Sequence, residues 1–247
     1  MRAHSEFSSG SGLRSADRLI VALDSTDLAA AINVAKKLRG LVRTVKVGSI
    51  LFSAHGPIAI QRLGQLGFDI MLDLKFFDIP STVELSCKAA TQHRISLLTV
   101  HACGGKDMLL AAVRGVRAMA KSMRVRPPAV LAVTVLTSVA DGKLSASSRV
   151  VALATDALFA GCDGVVASAK EAPILRKTFG RRLKIVCPGI RPLGMDHNDQ
   201  FRVVTPKDAL SYGADILVVG RPITGSPNPR VAAKSILDDI GEAIKQC

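Results

Sequence analysis

The chain has 247 residues, 48% of them hydrophobic, which suits one large α/β domain or two small ones. Its net charge is +13, but aromatic residues make up only 4% and tryptophan is absent, so the stacking surfaces of single-strand nucleic-acid binders are missing. No apolar run approaches the roughly 20 residues of a membrane span, and the N-terminus lacks the apolar core of a secretory signal. We therefore expect a soluble cytoplasmic protein with no membrane partner and no specific nucleic-acid partner.

The cysteines and histidines show no metal-binding pattern. The five cysteines are scattered without a CxxC pair, and the five histidines show neither HxxxH nor HExxH spacing. We expect reduced, mostly structural thiols and no metal. Ten of the 33 lysines and arginines fall in two clusters, residues 114–126 and 176–184. We interpret both clusters as solvated outer faces of helices.

The chain begins with a segment of low apolar content. Residues 1–16 are rich in serine and glycine, and we expect a flexible tail followed by one catalytic domain over residues 17–247. From Leu19 onward, apolar strand-like runs alternate with amphipathic helical stretches. The predicted strands are Leu19–Leu23, Thr44–Val47, Asp69–Lys75, Ser96–His101, Ala129–Leu136, Gly164–Ala167, Lys184–Cys187 and Ile216–Val219. The helical patterns between and after them include Asp27–Leu38, Pro57–Leu66, Pro80–His93, Val150–Gly161 and Pro229–Ile244.

Strands that alternate with helices are typical of a parallel sheet. Eight such units in this length favour a closed (β/α)8 barrel, a TIM barrel, over an open doubly wound sheet. No GxGxxG motif opens the first helix, which argues further against a dinucleotide-binding fold. The sequence therefore predicts a single-domain α/β barrel.

Polar residues and glycines recur where the predicted strands end. In chain order, the strand ends supply Asp24, Lys46, Asp73 with Lys75, His101, Thr137, Pro188-Gly189 and Gly220-Arg221. In a barrel these ends share one rim, and that rim carries the active site. We therefore expect the charged residues to surround one site. His101 is interpreted as a structural histidine rather than a catalytic base.

The segment Asp73-Leu74-Lys75-Phe76-Phe77-Asp78-Ile79-Pro80 follows a mostly apolar run. The period of two along a strand puts Asp73 and Lys75 on the same face, and Pro80 suits the first turn of a helix. Charge at the end of a buried strand is costly unless it does chemistry. The alternative is that Asp73 and Lys75 form an ion pair with a purely structural role at the strand end. The polar residues at the other strand ends favour a catalytic role instead.

These strand ends, in this order, resemble the bacterial type of orotidine 5′-phosphate decarboxylase. The matching segments are Val21–Asp24, Lys46–Gly48, Asp73–Val83, His101–Gly105, Val133–Ser138, Pro188–Pro192, Asp199–Gln200 and Val219–Thr224. DxKxxDIP together with VGRPIT is more specific than either motif alone. Ser81 and Cys103 depart from the residues more frequent in the family, but neither carries a charge.

The resemblance implies decarboxylation of orotidine 5′-phosphate to uridine 5′-phosphate in pyrimidine (UMP) biosynthesis, without a cofactor. It implies four catalytic residues of alternating charge, Lys46, Asp73, Lys75 and Asp78. Lys75 would be the acid at C6 of the pyrimidine, and Asp73 would lie beside the substrate carboxylate.

The resemblance also implies a homodimer and a set of binding residues. Asp78, Ile79 and Thr82 would reach into the neighbouring subunit's site. The substrate-binding residues would be Asp24 and Thr82 for the ribose, Thr137 or Ser138 for the pyrimidine, and Gly220, Arg221, Arg191 and Gln200 for the phosphate.

Two alternatives remain open. A sugar-phosphate decarboxylase or aldolase of the same barrel superfamily shares the DxK strand end but needs a divalent metal. Its expected glutamate is not evident, since Glu84 lies inside a predicted helix. A basic, non-catalytic nucleic-acid-binding protein would account for the net charge of +13, and its affinity would fall steeply with salt.

Overall fold

Eight parallel strands close into a barrel in chain order, which confirms the predicted (β/α)8 fold. The computed structural model describes residues 13–136, 145–192 and 204–246. The strands are β1 (Leu19–Ala22), β2 (Thr44–Gly48), β3 (Asp69–Phe76), β4 (Leu97–His101), β5 (Ala129–Val133), β6 (Gly164–Val166), β7 (Lys184–Pro188) and β8 (Ile216–Val219). Each pairs with its neighbours in sequence, and β8 pairs with β1.

Helices surround the barrel. They are α1 (Ser15–Arg18), α2 (Leu28–Leu38), α3 (Ser49–His55), α4 (Pro57–Gln65), α5 (Pro80–Gln92), α6 (Gly105–Ser122), α7 (Ser145–Ala160), α8 (Ala172–Phe179), α9 (Pro206–Ser211), α10 (Arg221–Thr224) and α11 (Pro229–Gln246). None of the helices described is long and apolar enough to cross a membrane. Helix α1 and the buried Leu13 lie at the end of the segment expected to be a tail, whose residues 1–12 lie outside the described residues.

Local chemistry explains where several helices begin. The Asp27 carboxylate caps α2 by accepting hydrogen bonds from the backbone N–H groups of Ala29 and Ala30, at 2.7 and 3.2 Å. Such a cap stabilises a helix by about 1 kcal/mol. Pro57 and Pro80 occupy the first turns of α4 and α5, where their missing N–H costs no helical hydrogen bond.

Alternation of side chains along the strands produces two apolar cores. The larger core lies between the strands and the helices. The smaller core fills the barrel and consists of Leu13, Ile20, Ala22, Met71, Leu97, Ala129, Leu131, Val133, Val166, Val186, Ile216 and Val218. The barrel is therefore packed with side chains and supports the rim from below.

Ion pairs join elements at the amino-terminal end of the barrel. Arg43 Nε lies 2.7 Å from Asp69 Oδ2, and Arg176 Nη2 lies 2.6 Å from Asp215 Oδ2. Lys184 was expected on an outer face, but this expectation is wrong because Lys184 is the first residue of β7 and is buried. Burial also lowers the pKa of Lys184.

Three of the described cysteines are buried, and Cys103 is exposed. Burial raises the pKa of both Cys87 and Cys162 to about 12. The buried thiols are therefore protonated at neutral pH and unsuited to nucleophilic chemistry.

Candidate active site

Four charged side chains from three neighbouring strands meet at the carboxyl-terminal end of the barrel. Lys46 Nζ lies 2.9 Å from Asp24 Oδ1 and 3.4 Å from Asp73 Oδ2. Lys75 Nζ lies 2.9 Å from Asp73 Oδ1. We call Asp24, Lys46, Asp73 and Lys75 the charge network. Anions and cations alternate along it, so each charge contacts one of opposite sign.

The members of the charge network differ in their access to solvent. The side chains of Lys46 and Asp73 are 10% and 11% exposed, whereas that of Lys75 is 35% exposed. Lys75 is therefore the more accessible cation and the one placed to contact a ligand in the mouth of the barrel.

Asp73 is ionised at neutral pH. Burial raises the pKa of Asp73, but the charges of Lys46 and Lys75 and hydrogen bonds from Lys75 and Thr99 outweigh burial, and its pKa lies below the ordinary value. A largely buried carboxylate that stays charged can act electrostatically on whatever binds above it.

Lys75 has an unusual backbone conformation, with φ of +50°. The pairing of β3 with β4 also shifts here, because Leu72 pairs with Leu98 whereas Phe76 pairs with Val100. In place of a regular ladder, the Lys75 N–H donates a 2.9 Å hydrogen bond to Thr99 Oγ1. The left-handed conformation costs about 1–2 kcal/mol in a residue with a side chain. Strain of this kind typically clusters at functional sites.

Thr99 was not predicted as a site residue. It is fully buried on β4, and its hydroxyl donates a 2.9 Å hydrogen bond to Asp73 Oδ1. One feature of the sequence could have identified it. Thr99 is a polar residue in an apolar strand, and it lies two positions before His101, on the same inward face. Thr99 fixes the position of the carboxylate.

Gly48, at the end of β2, leaves room for an ion pair. A β-carbon at this position would lie 2.7 Å from Lys46 Nζ and 2.9 Å from Asp24 Oδ1. Real β-carbons do not come this close to other atoms, so a side chain here would force the Lys46 ammonium or the Asp24 carboxylate to shift.

The segment after β3 is exposed and takes no part in the charge network of its own chain. Asp78, Ile79 and Thr82 are exposed, and Asp78 forms no ion pair with any residue that the structure describes. Asp78 Oδ1 accepts a 2.6 Å hydrogen bond from the N–H of Ile79. In the single chain, Asp24 therefore provides the second anion of the network, not Asp78, because Asp78 lies beyond the strand on an exposed turn.

The residues expected to bind the phosphate and the pyrimidine lie partly within the described structure. Gly220 follows β8, and the exposed Arg221 begins α10. Arg191 is buried, and its N–H donates a 3.1 Å hydrogen bond to the carbonyl of Val204. Thr137, Ser138 and Gln200 lie outside the described residues.

His101 lies at the same rim. Its Nδ1 is 3.3 Å from Cys103 Sγ, and its ring meets that of Phe77 edge to face at a centroid distance of 5.9 Å. Burial, and then the charge of Lys75, lower the pKa of His101. His101 is therefore neutral at pH 7.

Glu84, the glutamate considered for a metal site, is engaged elsewhere. It accepts a 2.8 Å hydrogen bond from Arg114 Nε and lies 2.8 Å from Lys88 Nζ. The hydrogen bonds from Arg114 and Lys88 lower the pKa of Glu84 to about 2. Among the residues described, no group of three or more His, Cys, Asp or Glu side chains could hold a metal ion.

Known proteins share the sequence and the fold of this chain. Residues 17–236 match the family described as Orotidine 5′-phosphate decarboxylase / HUMPS. The chain belongs to this family. The resemblance inferred from the strand ends is thereby confirmed.

Individual relatives match over nearly their whole length. The orotidine 5′-phosphate decarboxylase of Moorella thermoacetica is 42% identical over 232 residues, covering 91% of this chain and 92% of the relative. That of Nitrosomonas europaea is 43% identical, covering 92% of this chain and 98% of the relative. The crystal structure of orotidine 5′-phosphate decarboxylase from Lactobacillus acidophilus superposes with a TM-score of 0.78 at 37% identity, covering 90% of this chain and 98% of that one.

Proposed function

We infer that this chain is a carboxy-lyase that converts orotidine 5′-phosphate to uridine 5′-phosphate, the decarboxylation step of pyrimidine biosynthesis. Relatives of that name match more than nine-tenths of the chain. The observation that carries the inference is the charge network, in which a partly exposed ammonium is held 2.9 Å from an ionised, buried carboxylate. A cytoplasmic location fits this role.

The chemistry explains why such a network is needed. Loss of CO2 from C6 leaves an electron pair in the plane of the pyrimidine ring, where the ring π system cannot delocalise it. Stabilisation must then come from nearby charge and from a well-placed proton. We assign both tasks to Lys75, which faces the developing carbanion as a cation and then protonates it. The charge network needs no cofactor for this step.

Asp73 would act on the carboxylate that leaves. Two like charges about 4 Å apart repel each other by roughly 4 kcal/mol at an effective dielectric of about 20. This repulsion falls as CO2 departs, so it favours the transition state over the bound substrate. The low pKa of Asp73 supports this role, because only the ionised form repels the substrate.

Lys46 holds the two carboxylates in place. Its ammonium lies between Asp24 and Asp73, and its charge helps to lower the pKa of the largely buried Asp73. The Asp24 side chain is 44% exposed, so it remains open to a ribose hydroxyl. We propose Thr82 as a second ribose ligand, contributed by a neighbouring subunit.

The phosphate would bind on the β8 side of the rim. Gly220 and Arg221 follow β8, in the part of a barrel where phosphate is often bound. The guanidinium of Arg221 suits a phosphate because it offers paired donors. We propose that Arg191 and Gln200 assist there, and that Thr137 or Ser138 binds the amide edge of the pyrimidine.

We propose that the active form is a homodimer. Phe77 and Ile79 are 61% and 63% exposed, on the turn that also carries Asp78. Exposed apolar side chains of this size are typical of an interface. In this arrangement Asp78 would complete the neighbouring subunit's charge network, with Ile79 and Thr82 beside it.

The function is tested by following the absorbance of orotidine 5′-phosphate. Protein dialysed against EDTA should lower the absorbance without added metal, and Lys75→Ala should abolish the reaction while keeping a cooperative unfolding transition. Lys177→Ala, on the outer surface of α8, serves as the control and should retain full turnover. Turnover that returned only with magnesium would instead favour the metal-dependent sugar-phosphate enzymes.

A further inference from the structure

A cavity of about 580 Å³ lies at the opposite end of the barrel from the charge network. Its lining includes Ile20, Thr44, Asp69, Leu97 and Ile216, which stand at or near the amino-terminal ends of strands. The proposed reaction uses none of these residues. The cavity is therefore separate from the site described above.

Arginines line this cavity. They are Arg43, Arg94, Arg117, Arg124 and Arg126, and all except Arg43 are exposed. Three of them belong to the basic cluster that the sequence placed on an outer helix face. Neither Arg94 nor Arg124 forms an ion pair with a residue that the structure describes. These five arginines outnumber the three carboxylates of the same lining, which are Asp17, Asp69 and Asp163. An excess of positive charge around a cavity favours an anionic ligand.

Two of these arginines occupy positions that suit glycine. Arg94 and Arg124 have φ of +55° and +53° and follow the last turns of α5 and α6. At α6, the N–H groups of Arg124 and Val125 bond to the carbonyls of Lys121 and Ala120, at 3.1 and 3.0 Å. Helices that end in this way usually carry glycine in the left-handed position. Arginine here brings backbone strain, which points to a role for the side chain.

Asp17 provides an independent indication of a ligand. It lines the same cavity, and its side chain is only 8% exposed. Its Oδ2 accepts a 3.0 Å hydrogen bond from Arg14 Nε, but its Oδ1 is buried and accepts none. Arg43 Nη1 lies 3.7 Å from this oxygen, beyond hydrogen-bond distance. Buried acceptors normally accept a hydrogen bond, so we expect a bound ligand to donate one to Oδ1.

We propose that this cavity binds a small organic anion as a second ligand of the protein. A phosphate or carboxylate group would bind Arg94 and Arg124 at the mouth. A flat apolar body would pack against Leu97, Val113 and Val116, and a hydrogen-bond donor at its far end would reach Asp17 Oδ1. The site lies apart from the rim, so the ligand would not compete with the nucleotide.

The probe 4-aminophenyl phosphate has all three features. Calorimetric titration of the full chain, saturated with 6-azauridine 5′-monophosphate to fill the nucleotide site, should show one equivalent of probe bound per chain. Phenyl phosphate lacks the amino donor and should bind about fivefold more weakly, as expected for one hydrogen bond. Aniline lacks the anion and should not bind. The methyl resonances of Val113 and Val116 should shift only with the phosphates.

The variant Arg94→Gly with Arg124→Gly separates binding from folding. Glycine relieves the left-handed backbone strain, so the double variant should unfold at the same temperature as the wild type or higher. Its affinity for 4-aminophenyl phosphate should nevertheless fall at least about tenfold, since two charged donors are lost. Lys177→Ala should bind normally. Equal affinity in the double variant and the wild type, or no binding by either, would overturn the proposal.

Discussion

Thr99 supports Asp73 and the backbone of Lys75 with one hydroxyl group. Its Oγ1 donates a 2.9 Å hydrogen bond to Asp73 Oδ1 and accepts one of 2.9 Å from the N–H of Lys75. The anion and the bulged strand that carries the cation are therefore positioned by the same buried atom.

Replacing Thr99 with valine, which has a similar shape, should uncouple these two groups. The free energy of unfolding should fall by about 1–3 kcal/mol, because the Lys75 N–H and the Asp73 carboxylate lose a partner. Turnover should fall about 10–100-fold through misplacement of the charges, with a smaller change in KM. Steady-state kinetics and urea unfolding check this. Thr155→Val, at an exposed position on α7, should change neither the turnover nor the free energy of unfolding. A stable Thr99→Val variant with full turnover would contradict the positioning role.

Gly48→Ala tests the packing around the Lys46–Asp24 pair. The added methyl would lie 2.7 Å from Lys46 Nζ, and the pair must separate to admit it. We expect kcat/KM to fall at least about 100-fold, since a displacement near 1 Å can have that effect. Gly64→Ala is the matched control, because no atom lies within 4 Å of its added methyl. That variant should keep full activity and gain up to about 1 kcal/mol from helix propensity.

Asp73→Asn should alter the dependence of stability on pH. The folded pKa of Asp73 is below its unfolded value, so its carboxylate stabilises the fold above the unfolded pKa of about 3.9. This contribution is lost as the pH falls through the folded pKa. Urea unfolding should show the wild type about 1–3 kcal/mol more stable than the variant at pH 7, with the difference shrinking below about pH 4.

The exposed Asp238 on α11 provides the control for this experiment. Asp238→Asn should leave the free energy of unfolding at pH 7 nearly unchanged. If the difference in free energy of unfolding between the wild type and Asp73→Asn grew as the pH fell, the pKa of Asp73 would be raised in the folded protein and not lowered.

Arg221→Ala should mainly weaken substrate binding. Loss of about 1.5–3 kcal/mol from charge-assisted hydrogen bonds corresponds to a KM increase of about 10–150-fold. Arg114→Ala removes an arginine of comparable exposure on α6, where it pairs with Glu84 rather than facing the rim. If the two variants raised KM equally, the phosphate assignment of Arg221 would be wrong.

Mixing two inactive variants tests the homodimer. Lys75→Ala and Asp78→Ala should each be inactive alone, but a heterodimer contains one site with both residues intact. Random exchange of subunits should therefore restore about a quarter of the wild-type activity. A mixture as inactive as its components, despite demonstrated subunit exchange, would place Asp78 outside the partner's site.

The sequence was informative about the fold because apolar runs alternate with amphipathic ones throughout. Predicted β1, β3 and β8 agree with the structure within one residue at each end, whereas β5 ends at Val133 rather than Leu136. The short α3 was not predicted, since it follows β2 directly and no side chain caps its start.

The candidate site was predicted in part. Lys46, Asp73 and Lys75 were placed together because barrel strands share a rim, and the structure brings them into contact. Thr99 escaped notice because threonine is an ordinary strand residue. The bulge at Lys75 was not predictable, since lysine has no preference for positive φ. The roles of Thr137, Ser138 and Gln200 remain predictions.

The apolar filling of the barrel limits how a proton can reach the pyrimidine. Ala22, Met71 and Val218 belong to the packed apolar core beneath the charge network. Packed apolar side chains offer a proton no path, and burial lowers the pKa of His101, which disfavours the protonated ring that could act as an acid. Once a nucleotide covers the mouth, bulk solvent is shut out from above as well. In the proposed reaction we therefore expect the hydrogen that reaches C6 to be one that the Lys75 ammonium carried before the substrate bound.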